Sequence, residues 1–249
     1  MLDYSLYTNP GGRENNEDYV AFARHGEEYC FVLCDGLGGH DRGEVAAKLV
    51  ADSVTALFEA EGDSMGFLDR AFNKAQSDLL ARQDAEGLKN AMKTTAVVLT
   101  CTPELVKWAH IGDSRLYRFF DSGTKYERTR DHSLVQRMAD TGEIRESEIR
   151  QHPDRNKIFR VMGAEWGKRS YDKSPVLELE DPQSFLLATD GFWEYVYEEE
   201  MMVHLRETQD AEGWLEKMTE LVKKRADMSR TDNFSAIAVR IGALDADQR

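Results

Sequence analysis

Six carboxylates in this chain sit where an apolar run meets a glycine or a polar turn. Asp35 follows Cys30 to Cys34 and opens Asp35-Gly36-Leu37-Gly38-Gly39, Asp113 follows Trp108 to Gly112, and Asp190 follows Phe185 to Thr189 and precedes Gly191. Asp232 lies just ahead of the alternating run Phe234 to Ile241, and Glu17-Asp18 just ahead of Tyr19 to Ala23. A single Asp-Gly pair is an ordinary turn. Several segments that each bring a carboxylate to a strand end are another matter. If one fold gathers them, the result is a polyanionic pocket, which is unfavourable unless cations neutralise it.

The donors are all oxygens, with neither His nor Cys at comparable positions, and this selects hard divalent cations, Mn2+ or Mg2+, over Zn2+. Two such ions about 3.5 to 4 Å apart would activate a water near neutral pH and neutralise phosphate oxygens, so phosphate-ester hydrolysis is the reaction the donors suit. Arg13, in the same loop as Glu17 and Asp18, can grip two phosphate oxygens through its planar fork.

The elements that must hold these groups follow from hydrophobic period. Strands are expected at Leu2 to Thr8, Tyr19 to Arg24 and Cys30 to Cys34, the last stopping at Asp35 because of the glycines. Asp41-Arg42-Gly43-Glu44 reads as an acidic N-cap with Glu three residues on, opening a helix of about Glu44 to Ala60, and a second helix spans about Phe67 to Leu88. Strand candidates then run in succession, Thr94 to Cys101, Leu105 to Ile111, Arg115 to Phe120 and Lys125 to Thr129, with turns short enough for antiparallel meanders. After a short helix at Ser133 to Asp140, the charged stretch to Gly167 lacks an apolar period, which is where a lid or recognition element is expected. Strands at Val176 to Leu179 and Phe185 to Thr189, helices of about Glu198 to Glu207 and Glu212 to Asp227, and a final strand complete the chain. Runs of antiparallel strands separated by paired helices suggest an α+β fold of two packed sheets flanked by helices.

The 249 residues fit one domain, and nothing in their composition divides them. The formal charge of −14 argues against nucleic acid or an anionic membrane as partner, although carboxylates such as Glu198, Glu199 and Glu200 read simply as a solvated helix start. No apolar run is long enough to cross a bilayer, and the first ten residues lack the pattern of a signal peptide. Cys30, Cys34 and Cys101 lie in apolar runs without a CxxC pair, as buried reduced thiols do. A cytoplasmic protein is the expectation.

In order along nearly the whole chain, the motifs Arg13-x-x-Asn16-Glu17-Asp18, Asp35-Gly36-Leu37-Gly38-Gly39-His40, Thr94-Thr95-Ala96, Gly112-Asp113-Ser114-Arg115, Asp131-His132-Ser133, Thr189-Asp190-Gly191 and Asp232-Asn233 resemble the type-2C metal-dependent serine/threonine protein phosphatases, the PPM family, in their bacterial form. Gly142-Glu143-Ile144 and His152-Pro153-x-x-Asn156 resemble that family's flap, here about 133–167 of a single catalytic domain. The resemblance implies a four-layer α-β-β-α sandwich, two antiparallel sheets flanked by helix pairs, that hydrolyses phosphoserine and phosphothreonine in proteins and opposes a Ser/Thr kinase. It implies a core site of two Mn2+ or Mg2+ ions in which Asp35 bridges both, the Gly36 carbonyl binds one, and Asp190 and Asp232 complete the second. Glu17 and Asp18 would act through water, Arg13 would bind the substrate phosphate, Asp113 with Asp190 would hold a third ion, and Thr95 and Asn233 would support the ligands.

By residue type alone, Asn233 could instead cap a turn and Thr95 could be an ordinary strand residue. The alternative function is a catalytically silent phosphoprotein-binding member, which loss of metal ligands would mark; Asp35, Gly36, Asp190 and Asp232 are all present. A monomer is expected. Leu37 stands where eukaryotic members carry a His, and His40 is expected to be a structural hydrogen-bonder and not the general acid.

Overall fold

The computed structural model describes residues 2–38, 42–88, 91–120, 122–167, 170–179 and 182–242. In chain order it contains β1 (Leu2–Asn9), β2 (Asp18–His25), β3 (Glu28–Leu37), α1 (Gly43–Glu61), α2 (Phe67–Glu86), β4 (Lys93–Thr94), β5 (Ala96–Cys101), β6 (Leu105–Ile111), β7 (Arg115–Phe120) and β8 (Lys125–Arg128). There follow α3 (Leu134–Asp140), a 3-10 turn (Glu146–Gln151), β9 (Asp172–Lys173), β10 (Leu177–Glu178), β11 (Gln183–Ala188), α4 (Asp190–Trp193), α5 (Glu198–Glu207), α6 (Ala211–Arg225) and β12 (Phe234–Ile241).

Strict alternation within the strands builds three separate cores. On β3, Phe31 and Leu33 face one way with Val97 and Leu99 of β5, and meet Leu116, Phe185, Leu187, Ile237 and Val239 of the opposite sheet. Cys30, Val32 and Cys34 face the other way, with Val98, against α1 and α2 through Val50, Phe58, Phe72 and Leu79. On the far side Tyr117, Phe119, Leu186 and Ala236 pack against α5 and α6 through Met201, Trp214 and Met218. A strand buried on both faces reads as a continuous apolar run, which is why Cys30 to Cys34 shows no period of two.

The layers are therefore helix, sheet, sheet, helix. One sheet has the order β1-β12-β11-β7-β8, the other β10-β6-β5-β3-β2 with β4 on β3 and β9 on β6, and every pairing is antiparallel. Trp193 and Trp214 are buried, and Trp108 and Trp166 pack against the cores.

Several local expectations are corrected. β3 does not stop at Asp35; it continues to Leu37 because β4 pairs with it, Gly36 opposite Thr94 and Leu37 opposite Lys93. The N-cap of α1 is Arg42, in the left-handed conformation with φ 60° and no side-chain cap. Asp41 and His40 lie outside the described residues. Glu198 and Glu200 are not simply solvated: Glu198 is ion-paired with Arg150 at 2.7 Å and Glu200 with Arg225 at 2.5 Å, so the acidic start of α5 is tied to other elements. The insertion after α3 has apolar anchors despite its charge, with Ile149, Val161 and Met162 buried. Its C-terminal end is held by two glutamines of α2. Gln76 Nε2 donates to the Ala164 carbonyl at 2.7 Å and Gln83 Nε2 to the Gly163 carbonyl at 2.9 Å.

Candidate active site

Asp35 and Asp18 lie opposite each other in the β2–β3 register, at the end of the sheet where both strands meet the loops. The Asp35 N–H donates to Thr95 Oγ1 at 3.0 Å, and its carbonyl accepts from the Thr95 N–H at 2.8 Å and from Thr94 Oγ1 at 2.9 Å. Its carboxylate is thereby aimed by backbone that cannot swing. The Gly36 N–H donates to the Glu17 carbonyl at 3.0 Å. A Cβ on Gly36 would collide with the Gly43 carbonyl, so glycine lets the start of α1 lie directly on the strand.

The other carboxylates come from the opposite sheet. Asp190 opens α4 immediately after β11, and Gly191 allows it to pack on the Asn233 carbonyl. Asn233 ties three segments together: its Oδ1 accepts from the Glu17 N–H at 2.8 Å, and its Nδ2 donates to the carbonyls of Pro10 and Asn15, each at 2.9 Å. Asp113 sits in the Gly112–Ser114 turn between β6 and β7, where Gly112 has φ +105° and a Cβ would lie 2.5 Å from the Thr95 methyl. Trp193 Nε1 donates to the Asp113 carbonyl at 3.1 Å, and the Arg115 guanidinium stacks 3.4 Å over the Trp193 ring.

These segments enclose one cavity of about 350 Å³ lined by Glu17, Asp18, Asp35, Gly36, Asp113, Asp190 and Asp232, with Arg13 and Asn156 at its wall. Asp18 and Asp113 are buried, while Asp35, Asp190 and Asp232 keep part of their surface open. Burial, then the neighbouring carboxylates, pushes the acids upward: Asp18 to about 7, Asp113 to about 7, and Asp35 and Asp190 well above the ordinary range. Asp113 Oδ1 is buried with no hydrogen-bond partner among the described residues. Clustered acids of this kind, one with an orphaned oxygen, are what a cation-binding pocket needs, and an all-oxygen set fits Mn2+ or Mg2+.

Against known proteins, residues 11–231 match the protein phosphatase 2C family. The chain belongs to that family. It is 32% identical over 220 residues to the serine/threonine protein phosphatase PstP of Mycobacterium tuberculosis, covering 86% of this chain but 40% of that protein. It is 30% identical to the serine/threonine phosphatase stp of Listeria welshimeri over 235 residues, 91% of this chain and 90% of that one. The crystal structure of Stp1 from Staphylococcus aureus superposes with a TM-score of 0.86 at 31% identity, covering 98% of this chain and 96% of that chain. A structure of the PstP catalytic domain in complex with 2 manganese ions superposes with a TM-score of 0.81 at 27% identity, covering 97% and 98% of the two chains.

In this protein phosphatase 2C chain the structure brings all the expected site residues to one cavity or its immediate support. Arg13 lies at the rim, where its Nη2 contacts Asp232 Oδ2 at 2.9 Å. Thr95 supports Asp35 from the link between β4 and β5, and its Oγ1 lies 2.8 Å from Ser114 Oγ. Residues that sequence reasoning passed over include Thr189, whose Oγ1 donates to Asp18 Oδ2 at 3.0 Å, Ile158 at the cavity wall, and Glu194. Glu194 could have been found from its spacing, since it lies four residues after Asp190, at the C-cap of α4.

A second group of possible metal donors, His110, His132 and Asp172, lies behind the Asp113 turn. His132 Nδ1 accepts from the Gly112 N–H at 3.1 Å, so its proton is on Nε2, facing Asp172 Oδ2 at 3.1 Å. A cation would need that nitrogen's lone pair, and so the group is a hydrogen-bonded support. His152 is likewise a hydrogen-bonder, accepting the Asp154 N–H at 3.1 Å.

Proposed function

We propose that this chain hydrolyses phosphoserine and phosphothreonine in proteins with Mn2+ or Mg2+ as cofactor, two ions in a core site and a third more weakly held. The observation that carries the reading is the convergence of Asp18, Asp35, Asp113, Asp190 and Asp232 from two sheets on one cavity, with Asp113 Oδ1 buried and without a hydrogen-bond partner among the described residues. Asp35, the Gly36 carbonyl, Asp190 and Asp232 would hold the core pair, and Asp113 with Asp190 the third ion. Bound there, the ions supply a nucleophile from water near neutral pH and neutralise phosphate oxygens.

The chain's own residues do the rest. Arg13 contacts Asp232 through one nitrogen in the structure, and the other donors of its fork are available to orient a phosphate over Asp35. Glu17 and Asp18 sit on one wall to hold ordered water. Asn233 and Thr95 fix the backbone of Glu17 and Asp35, so the carboxylates are in position before substrate arrives.

A phosphorylated protein implies an opposing Ser/Thr kinase. A cytoplasmic setting is supported by three buried free cysteines, and among the described residues no helix is long and apolar enough to cross a membrane. The test is turnover of para-nitrophenyl phosphate and of a phosphothreonine peptide with Mn2+, abolished by EDTA. Absence of turnover by folded, metal-loaded protein would replace this reading with a phosphoprotein-binding member of the same fold.

A further inference from the structure

Beside the carboxylate cavity, and sharing Arg13, Asn156, Asp190 and Asp232 with it, lies a side cavity of about 140 Å³. Its remaining walls include Arg155 of the insertion, Glu194 and Tyr195 just beyond α4, and Arg230 ahead of β12. Three arginines therefore line a small polar space on a chain whose formal charge is −14.

Their charges are not equally engaged. Arg13 contacts Asp232 at 2.9 Å, and Arg155 Nε contacts Glu194. The carboxylate beside Arg230 is Asp227 of its own turn at 4.0 Å, too far for a hydrogen bond, and the Arg230 side chain is 87% exposed. Asp190 and Asp232, the other acids of the wall, are the residues assigned to cations. The Arg230 guanidinium, 4.0 Å from Asp227 and largely exposed, therefore stays open to a further anion, as Arg13 does once Asp232 holds a cation.

The backbone under Arg230 is nevertheless held. The N–H groups of Arg230 and Thr231 both donate to the Asp227 carbonyl at 2.8 Å, and Asp227 Oδ1 accepts from the Ser229 N–H at 3.1 Å and from Ser229 Oγ at 2.7 Å. The Gly12 N–H donates to the Thr231 carbonyl at 2.9 Å, and a Cβ on Gly12 would lie 2.5 Å from the Arg230 nitrogen. The loop that carries Arg13 and the turn that carries Arg230 are thus packed backbone to backbone. A contact made by Arg230 is registered against one made by Arg13.

We propose that the side cavity receives an anionic group of the substrate chain, a carboxylate or a second phosphate close in sequence to the phosphorylated residue, and that Arg230 reads it. The proposal rests on the phosphatase reading above. With the reacting phosphate between Arg13 and Asp35, an extended substrate advances about 3.3 Å per residue, so a near neighbour reaches the adjoining space. Arg230 meets it with a planar fork suited to either anion. Arg155, neutralised by Glu194, does not compete for it.

The experiment uses the Mn2+-loaded protein and its Arg230→Ala and Arg230→Glu variants on four substrates. These are para-nitrophenyl phosphate, a phosphothreonine peptide with uncharged flanks, the same peptide with flanking Glu, and the same peptide with a second phosphothreonine. For the wild type, kcat/KM on at least one anionic peptide should exceed that on the uncharged one by about fivefold, mostly through KM. The preference should vanish in Arg230→Ala and invert in Arg230→Glu, with aryl phosphate turnover unchanged throughout. Preference for the diphosphorylated peptide alone supports the proposal with phosphate as the group read, preference for the Glu peptide alone supports it with carboxylate, and equal preference supports a response to negative charge. Equal kcat/KM on all three peptides in the wild type, or a preference that survives Arg230→Glu, overturns the proposal. Loss of aryl phosphate turnover in the wild type would instead overturn the phosphatase reading.

Discussion

His132 and Gly112 are hydrogen-bonded to each other twice: the Gly112 N–H donates to His132 Nδ1 at 3.1 Å, and the His132 N–H donates to the Gly112 carbonyl at 2.8 Å. The ring stacks on His110, 4.7 Å between centroids, and burial followed by that second imidazole holds the His132 pKa down to about 4. His132 is therefore neutral at physiological pH, with Nδ1 free to accept. Replacing it by Ala leaves the buried Gly112 N–H without its acceptor, and should cost about 1–3 kcal/mol of stability in urea denaturation of the metal-free protein. His132→Asn, whose Oδ1 can accept, should lose less. A loss in His132→Ala below about 0.5 kcal/mol, the usual effect of a surface change, would show that the turn is held by other contacts.

Asp35→Asn and Asp190→Asn should each leave less than about a tenth of the wild-type rate on a phosphothreonine peptide, because an amide cannot supply the charge that divalent cations require. Both residues line the same cavity, Asp35 from within β3 and Asp190 from the start of α4. Purified variants with native circular dichroism, assayed across a Mn2+ titration, make the check. Retention of more than that rate by both variants contradicts their assignment as ligands.

Asp113→Ala should remain folded and keep the tighter pair of metal sites while losing one weak site in a binding isotherm, with reduced turnover. It should also melt higher than wild type when both are metal-free, since the change removes a buried carboxylate whose Oδ1 has no partner among the described residues. Loss of all metal binding contradicts the division of roles, and an unchanged or lower melting temperature would show that Asp113 is satisfied without a cation.

Metal-free stability should fall as pH rises. Asp18 and Asp113 are pushed from 3.8 to about 7, first by burial, so the fold binds protons there that the unfolded chain has released. Their contribution is complete below the unfolded value near 3.8 and is lost as pH climbs through about 7. Thermal melts in EDTA at about pH 6.5 and about pH 8.5 should show the drop, and Mg2+ should raise the melting temperature more at the higher pH, because cations no longer compete with protons. A flat or rising metal-free profile across this window counts against the clustering of acids.

The carboxylates, the glycines beside them and most of the strands and helices were legible along the chain, because each is announced locally. Apolar period marks the helices, and Asp35, Asp113 and Asp190 are flagged by their positions beside glycines at the ends of apolar runs. Ordered motifs then carried the family and with it the layered fold. What only the tertiary structure decided depends on residues far apart in sequence. Thr189 serves Asp18 across a separation of 171 residues, and Arg13 meets Asp232 across 219. β3 runs past Asp35 because β4 offers it a partner, and Glu198 is held by Arg150 although its neighbours read as a solvated helix start. Local propensity cannot encode such pairs, since a hydrogen bond or ion pair depends on where packing places its partner. The side cavity at Arg230 is of the same kind: Arg13 and Arg230, 217 residues apart, line it together with Arg155, and Gly12 lets the backbones that carry the first two touch.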